Sequence, residues 1–184
     1  VSTALHLAER GYKVHVLEAN KVGWGASGRN GGQMIGGISG DARLAAVAGT
    51  DGERKLWEMG WAGHEIIRQR VAKYNIDCDL KTGYVDVAIK PRHVRDLEAD
   101  YEMLQKYNFP HPYAMLSKEE TQDLLGTEAY IGALRNDGNG HVHPLNLCIG
   151  EAVAAVSLGV TISEQSPVVE IKRGPKATVV TAEG

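Results

Sequence analysis

Apolar residues recur at helical spacing over the first ten positions, at Val1, Ala4, Leu5 and Ala8. This predicts a helix over Val1–Arg10, stopped by Gly11, a residue suited to a helix C-terminus. The period then changes. Lys13–Leu17 (KVHVL) is β-branched and nearly continuous in its apolar positions, the pattern of a buried parallel strand, and Glu18 closes it. Beyond a glycine-rich stretch, Leu56, Met59, Gly63, Ile66, Ile67, Val71 and Tyr74 repeat at three-and-four spacing and predict an amphipathic helix over Asp51–Asn75. Gly83–Ile89 (GYVDVAI) alternates as a half-buried strand does. Pro91 opens a helix with Val94, Leu97, Tyr101 and Leu104 on one face. Ser117–Glu120 reads as a capping box for a short helix ending by Gly126. Tyr130–Asn136 is a second strand, and Asn136–Gly140 (NDGNG) reads as a tight turn. Pro144 starts a helix through Leu158, with Leu145, Cys148, Ile149, Ala152, Ala155 and Val156 inward. Val160–Glu164 is a strand, and Val168–Lys172 with Ala177–Ala182 forms a hairpin about Arg173-Gly174-Pro175.

The order is α/β, then α+β, then α/β again. Helix, glycine turn, apolar strand and terminal acid make the second half of a dinucleotide-binding βαβ unit, in which the acid hydrogen-bonds ribose hydroxyls. The expected architecture is a Rossmann-like nucleotide-binding domain, residues 1–50 and 137–184, interrupted over 51–136 by part of an α+β domain with an antiparallel sheet. Val1 falls inside a helical pattern without a cap, and Thr178–Gly184 reads as a strand running into a turn. The stretch is expected to be an internal piece of a longer protein, truncated at both ends, with the first strand and its G-x-G-x-x-G loop upstream.

The segment Gly23–Gln33 (GWGASGRNGGQ) follows the acid. Eight of the 22 glycines lie between Gly23 and Gly40. Glycine loses more backbone entropy on folding than other residues, so such a run suits a close backbone approach or positive φ. Ser27, Arg29, Asn30 and Gln33 are interleaved with it and add hydroxyl, guanidinium and amide donors. Successive backbone N–H groups form anion-binding nests, and the arginine fork matches phosphate. The segment reads as a cradle for a phosphate-bearing cofactor. A flexible linker is disfavoured, because linkers use Gly and Ser and not Trp, Arg, Asn and Gln in mixed order.

Composition narrows the partners. The formal net charge of −3 argues against a nucleic-acid surface, which needs a basic face. No apolar run approaches a membrane span, and no signal peptide is evident. Cys78 and Cys148 are too few for a disulfide framework, which points to a reducing cytoplasm. His141 and His143, two residues apart, lack the further ligands of a zinc site. They read as loop histidines, and His64 as a structural histidine on the long helix.

The segments VSTALHLAERGYKVHVLEA, GWGASGRNGGQ, IDCDLKTGYVDVA and GHVHPLNLCIGEA together resemble the flavin-dependent amine and amino-acid oxidases of the D-amino-acid oxidase superfamily, most closely the gamma-glutamylputrescine oxidase branch. The resemblance runs over essentially the whole chain and implies FAD as cofactor. It implies that Glu18 binds the adenosine ribose, and that Ser27, Gly28 and Arg29 lie by the pyrophosphate and ribityl chain. It further implies that Asn30, Gly31, Gly32 and Gln33 pass near the isoalloxazine, and that the backbone of Val168 meets adenine. The implied reaction oxidises a carbon–nitrogen bond of a small-molecule amine or amino acid, with O2 as electron acceptor and hydrogen peroxide as product. The catalytic residues are not assigned. The full-length protein is expected to be an enzyme, and this stretch alone to be inactive, since the pyrophosphate loop that presents a helix N-terminus is not in it. Two rivals remain. A nicotinamide-dependent dehydrogenase would place another β-α unit after Glu18, where the glycine segment stands. A truncated, non-catalytic nucleotide-binding fragment accommodates the cut-looking ends.

Overall fold

A computed structural model describes residues 1–36 and 41–182. Gly37 and Gly40 of the glycine-rich run lie outside the described residues. The chain forms two compact units: Val1–Gly32 with Arg68–Leu80 and Val142–Gly184, and Gln33–Ile67 with Lys81–His141. These boundaries differ from the expected breaks at 50/51 and 136/137. Strand pairing moves them, because Gln33 is already hydrogen-bonded into the sheet of the second unit and that sheet runs on to His141. The segment Arg68–Leu80 then returns to the first unit.

In the first unit, helix α1 (Ser2–Glu9) ends before Gly11, which adopts φ +80°. Strand β1 (His15–Leu17) pairs in parallel with β6 (Thr161–Ser163), Val16 opposite Ile162. Parallel pairing agrees with the sequence, but β1 is half-buried to exposed where a buried strand was expected. Among the described residues it has a single neighbouring strand, so its other edge is unpaired. Helix α5 (Pro144–Ser157) packs against α1 through a core of Ala4, Leu5, Ala154, Ala155 and Val160. Small residues on α5 let the two helices approach closely. Of the positions expected inward on α5, Ala152 and Ala155 are buried, whereas Ile149 and Val156 are 45% and 53% exposed. Helical periodicity located the apolar stripe and not which part of it is covered. Strands β7 (Val168–Lys172) and β8 (Thr178–Thr181) form the expected antiparallel hairpin.

The second unit is an antiparallel sheet with β5 (Gly132–His141) at its centre, paired to β2 (Gln33–Met34), β3 (Lys81–Ala88) and β4 (Tyr113–Leu116). The expected turn at Asn136–Gly140 is therefore strand. Turn chemistry loses here to close packing. A methyl group at Gly138 would overlap the Phe109 ring, and one at Gly140 would overlap the Lys81 carbonyl. Asn136 and Asn139 are buried within the sheet, with backbone donors satisfying their oxygens. Helix α2 (Asp41–Tyr74) starts earlier than its apolar period and is interrupted at Gly49, φ +67°. Its Trp57 and Trp61 join α3 (Pro91–Lys106) and the sheet in a core with Leu97, Leu104, Phe109 and Leu134. Helix α4 (Lys118–Leu125) has the capping box in full: Ser117 Oγ accepts the Glu120 N–H, and the Glu120 carboxylate accepts the Ser117 N–H.

Candidate functional site

The glycine segment of the first unit is a knot of backbone held against α5. Gly23 has φ +77°, and a Cβ on it would meet Leu145 and lie 3.6 Å from the Cys148 sulfur. A Cβ on Gly28 would overlap the Gly23 carbonyl, and one on Gly32, at φ +71°, would overlap the Val142 carbonyl. These three positions need glycine for close approach. Ala26–Gly28 makes one turn of 3-10 helix, and Arg29 N–H closes on the Ala26 carbonyl at 3.1 Å. Asn30 braces the knot from inside. Its Nδ2 donates to the Ala26 and Ser27 carbonyls at 2.9 and 3.1 Å, and its Oδ1 accepts from Gly32 N–H at 2.8 Å. Gly32 in turn accepts from Val142 N–H at 2.9 Å, which ties the loop to the residues leading into α5. His143 caps that helix, with Nδ1 accepting from Asn146 N–H at 3.2 Å, so the ring is structural, as expected.

Two charged groups remain available around this scaffold. Arg29 lies over the ring of Trp24, its guanidinium carbon 4.6 Å from the centroid, and meets no carboxylate among the described residues. Trp24 itself is 53% exposed. Glu18, at the end of β1, is fixed by its backbone: its N–H donates to Ser163 and its carbonyl accepts from Ser166, both at 2.9 Å. Its Oε1 accepts from Asn20 N–H at 2.8 Å, and its second oxygen takes no hydrogen bond among the described residues. Burial pushes the Cys148 thiol pKa up, and the carboxylates of Glu151 and Glu18 push it the same way. The first glycine of the loop thus lies against Cys148 on α5. The second acid of the neighbourhood, Glu164, accepts Val22 N–H at 2.8 Å and anchors the entry to the loop.

The other expected site residues are placed separately. Ser27 and Gly31 are exposed on the same loop. Gln33 lies in β2, opposite His141, and so belongs to the second unit. Val168 opens β7, 44% exposed and opposite Thr181. No group of three or more metal-ligating side chains occurs among the described residues, and no described helix is long and apolar enough to cross a membrane. Sequence reasoning missed Trp24, Asn20 and Glu164. Only Trp24 carried a signal, as an aromatic out of place in a glycine run.

Chemically, the loop offers a planar cation without a carboxylate partner among the described residues and backbone brought close by glycines, and the end of β1 offers a carboxylate with an oxygen free of hydrogen bonds among them. That donor set fits a dinucleotide, whose pyrophosphate needs cations and N–H groups and whose ribose needs an acceptor.

Comparison with known proteins agrees. The family model described as FAD dependent oxidoreductase matches residues 1–184. The gamma-glutamylputrescine oxidoreductase of Escherichia coli is 40% identical over 185 residues, all of this chain and 43% of that protein. The Haemophilus influenzae protein OrdL is 44% identical over 173 residues, 93% of this chain and 40% of the relative. The chain therefore spans less than half the length of the curated relatives it matches. Among solved structures, the glycine oxidase of Bacillus cereus superposes with a TM-score of 0.74 at 24% identity, over 100% of this chain and 48% of that one. The L-amino acid deaminase of Proteus myxofaciens does so at 0.80 and 24% identity, over 99% and 40%. These two likenesses speak to the fold. The glycine-oxidase-like mixed α/β architecture stands, the nicotinamide reading is set aside, and the chain belongs to the FAD dependent oxidoreductase family.

Proposed function

We propose that the protein carrying this chain oxidises a carbon–nitrogen bond of an amine or amino acid, with gamma-glutamylputrescine as the first substrate to try. The observation that carries the reading is the Arg29 guanidinium above Trp24, without a carboxylate partner among the described residues, on a glycine loop packed against α5. The relative named gamma-glutamylputrescine oxidoreductase supports the choice of substrate. In this reading the first unit, with Gln33 at the start of the second, serves the cofactor, and the rest of the second unit serves the substrate. Glu18 holds the adenosine ribose through its spare oxygen, and Arg29 with Ser27 and Gly28 neutralises the pyrophosphate region. Gly31, Gly32 and Gln33 carry the chain past the ring system, and Asn30 keeps that path rigid. The Val168 backbone borders the adenine.

When bound, the flavin supplies a two-electron acceptor that passes its electrons to O2. A neutral amine loses a hydride equivalent and a proton to become an imine, which water hydrolyses to a carbonyl compound and an amine or ammonia. O2 with the two electrons and two protons becomes hydrogen peroxide. The chain's own task is to bind and orient, and a preorganised loop does this without rearranging at the moment of reaction. The test is oxygen uptake and peroxide release by the purified full-length protein with gamma-glutamylputrescine and a panel of simple amines and amino acids. Stoichiometric peroxide with one of them is expected. A flavin-loaded protein that reduces an artificial dye but never consumes oxygen would replace the oxidase reading with a dehydrogenase.

A further inference from the structure

The first turn of α1 is held from the side by a buried arginine, and one contact of that arginine depends on a proton. Arg70 stands near the end of α2, in the part of that helix that belongs to the first unit, and is 4% exposed. Its Nη1 donates to Ser2 Oγ and to Glu151 Oε1, each at 2.6 Å. Its Nη2 donates to the Ser2 carbonyl at 3.3 Å and also meets His6 Nδ1. Ser2 is the first residue of α1, and Glu151 lies on α5. One guanidinium therefore fixes where α1 begins relative to α5.

The His6 contact has a definite protonation state. A guanidinium carries donors and no acceptor, so Nδ1 must present its lone pair, and the ring is neutral with its proton on Nε2. A protonated imidazole has a donor on each nitrogen. It would turn an N–H toward the guanidinium and set a second cation beside it, and like charges at that range repel. The surrounding groups do not relieve this. Lys73 on α2 is another cation, and Arg10, at the C-terminal cap of α1, follows His6 by one turn. Glu151 on α5 is committed to Arg70. Glu9 Oε2 lies 4.0 Å from His6 Nδ1, and its other oxygen accepts from Lys73 Nζ at 2.7 Å and from the Tyr74 hydroxyl at 2.6 Å. Those two bonds hold the Glu9 carboxyl below the usual carboxylate range, so it stays an anion to which a charged ring can turn. His6 thus has one partner for each state: Arg70 when neutral, Glu9 when protonated.

We propose that Arg70 and His6 are positioning residues for the cofactor: neutral His6 completes the clamp on the first turn of α1, and protonated His6 turns to Glu9 and loosens it, so that FAD is held less tightly as pH falls. The proposal rests on the reading that α1 points its N-terminus at the FAD pyrophosphate, as the helix of a dinucleotide-binding unit does. Neither residue needs to touch the cofactor. The favourable field of a helix N-terminus falls off within its first turn, so a small shift of that turn is felt at the phosphate.

FAD binding to stripped full-length apoprotein, followed by flavin fluorescence at about pH 8 and about pH 6, decides it, because that window spans the ordinary titration of histidine. The wild-type dissociation constant is expected to rise roughly threefold or more on acidification. His6→Asn keeps an acceptor oxygen near the place of Nδ1 and cannot be charged, so it should lose most of the rise. His6→Gln is the second variant if His6→Asn does not fold. The other histidines act alike in wild type and variant, and the difference between the two profiles belongs to His6. An equal rise in both overturns the proposal, and so does a wild-type affinity that ignores pH. Urea unfolding of the apoprotein at the same pH values checks for a purely structural role: a midpoint that moves with His6 while FAD affinity does not also overturns it. Arg29→Ala, measured alongside, separates the clamp from the reading beneath it. If that variant leaves FAD affinity unchanged, the cofactor reading falls and the clamp with it; if it weakens FAD while the His6→Asn profile keeps its slope, the clamp alone falls.

Discussion

Arg29 stacks on an exposed indole and has no protein anion among the described residues. A guanidinium left in that state is matched to a planar or tetrahedral oxyanion that it can grip through two parallel N–H groups, and a lysine keeps the charge but not the fork. In the full-length protein, Arg29→Lys should raise the dissociation constant for FAD by roughly tenfold, and Arg29→Ala by more. Reconstitution of stripped apoprotein, followed by flavin fluorescence, measures both. Unchanged retention in the two variants would remove Arg29 from the cofactor site. At this scale the sequence could nominate residues for the candidate site. Glu18 followed from its place after a β-branched strand, and Arg29 from its glycines. The use of Asn30 was not legible, because sequence shows an amide and not its direction. The structure spends that amide on three hydrogen bonds within the loop. Nor was Trp24 as a platform for Arg29 legible, since the contact depends on how the intervening turn folds.

The elements of the first unit are tied by charge as well as by apolar packing. Arg70, near the end of α2 and 4% exposed, donates to Glu151 Oε1 and Ser2 Oγ, each at 2.6 Å, and also meets His6 Nδ1. It therefore links α2, α5 and α1 around one buried guanidinium. Removing one member of such a pair leaves the other's buried charge uncompensated, which costs about 3–5 kcal/mol, whereas replacing both by apolar groups is often nearly neutral. Glu151→Gln is therefore expected to lower stability much more than the Arg70→Met/Glu151→Leu double change, measured by urea unfolding. Equal losses would show that the charges contribute little to joining the helices. No periodicity argument reveals this network, because Arg70 and Glu151 are 81 positions apart. The same limit explains β4 and β5. Ser117–Gly126 was readable because a capping box is a local device. Asn136–Gly140 was misread because its glycines serve Phe109 and Lys81, residues distant in sequence. Tyr113–Leu116 gave no strand signal of its own and is held as a strand by pairing with β5.

On the scale of the molecule, each unit is assembled from separated stretches of chain, so ligand effects can be assigned to units without being assigned to contiguous halves. The alternation of α/β and α+β patterns was legible because it rests on local period. The breaks at Gly32 and His141 were not, because they are set by the long-range pairing of Gln33 with His141. Of the residues proposed to hold FAD, Glu18, Ser27, Gly28, Arg29, Asn30, Gly31, Gly32 and Val168 lie in the first unit, and only Gln33 lies in the second. A ligand stabilises the state it binds, by an amount that grows with its concentration above the dissociation constant, and it suppresses the local openings that would release it. Hydrogen exchange of the full-length protein with and without FAD should therefore show the largest added protection in peptides covering β1, the glycine loop and the start of α5. Peptides from α3 and β4, which contain none of the proposed FAD ligands, should change least. Uniform protection across both units would mean that the flavin acts by global stabilisation alone. Protection concentrated in α3 and β4 would mean that the dinucleotide sits elsewhere, and the roles given to Glu18 and Arg29 would fall together.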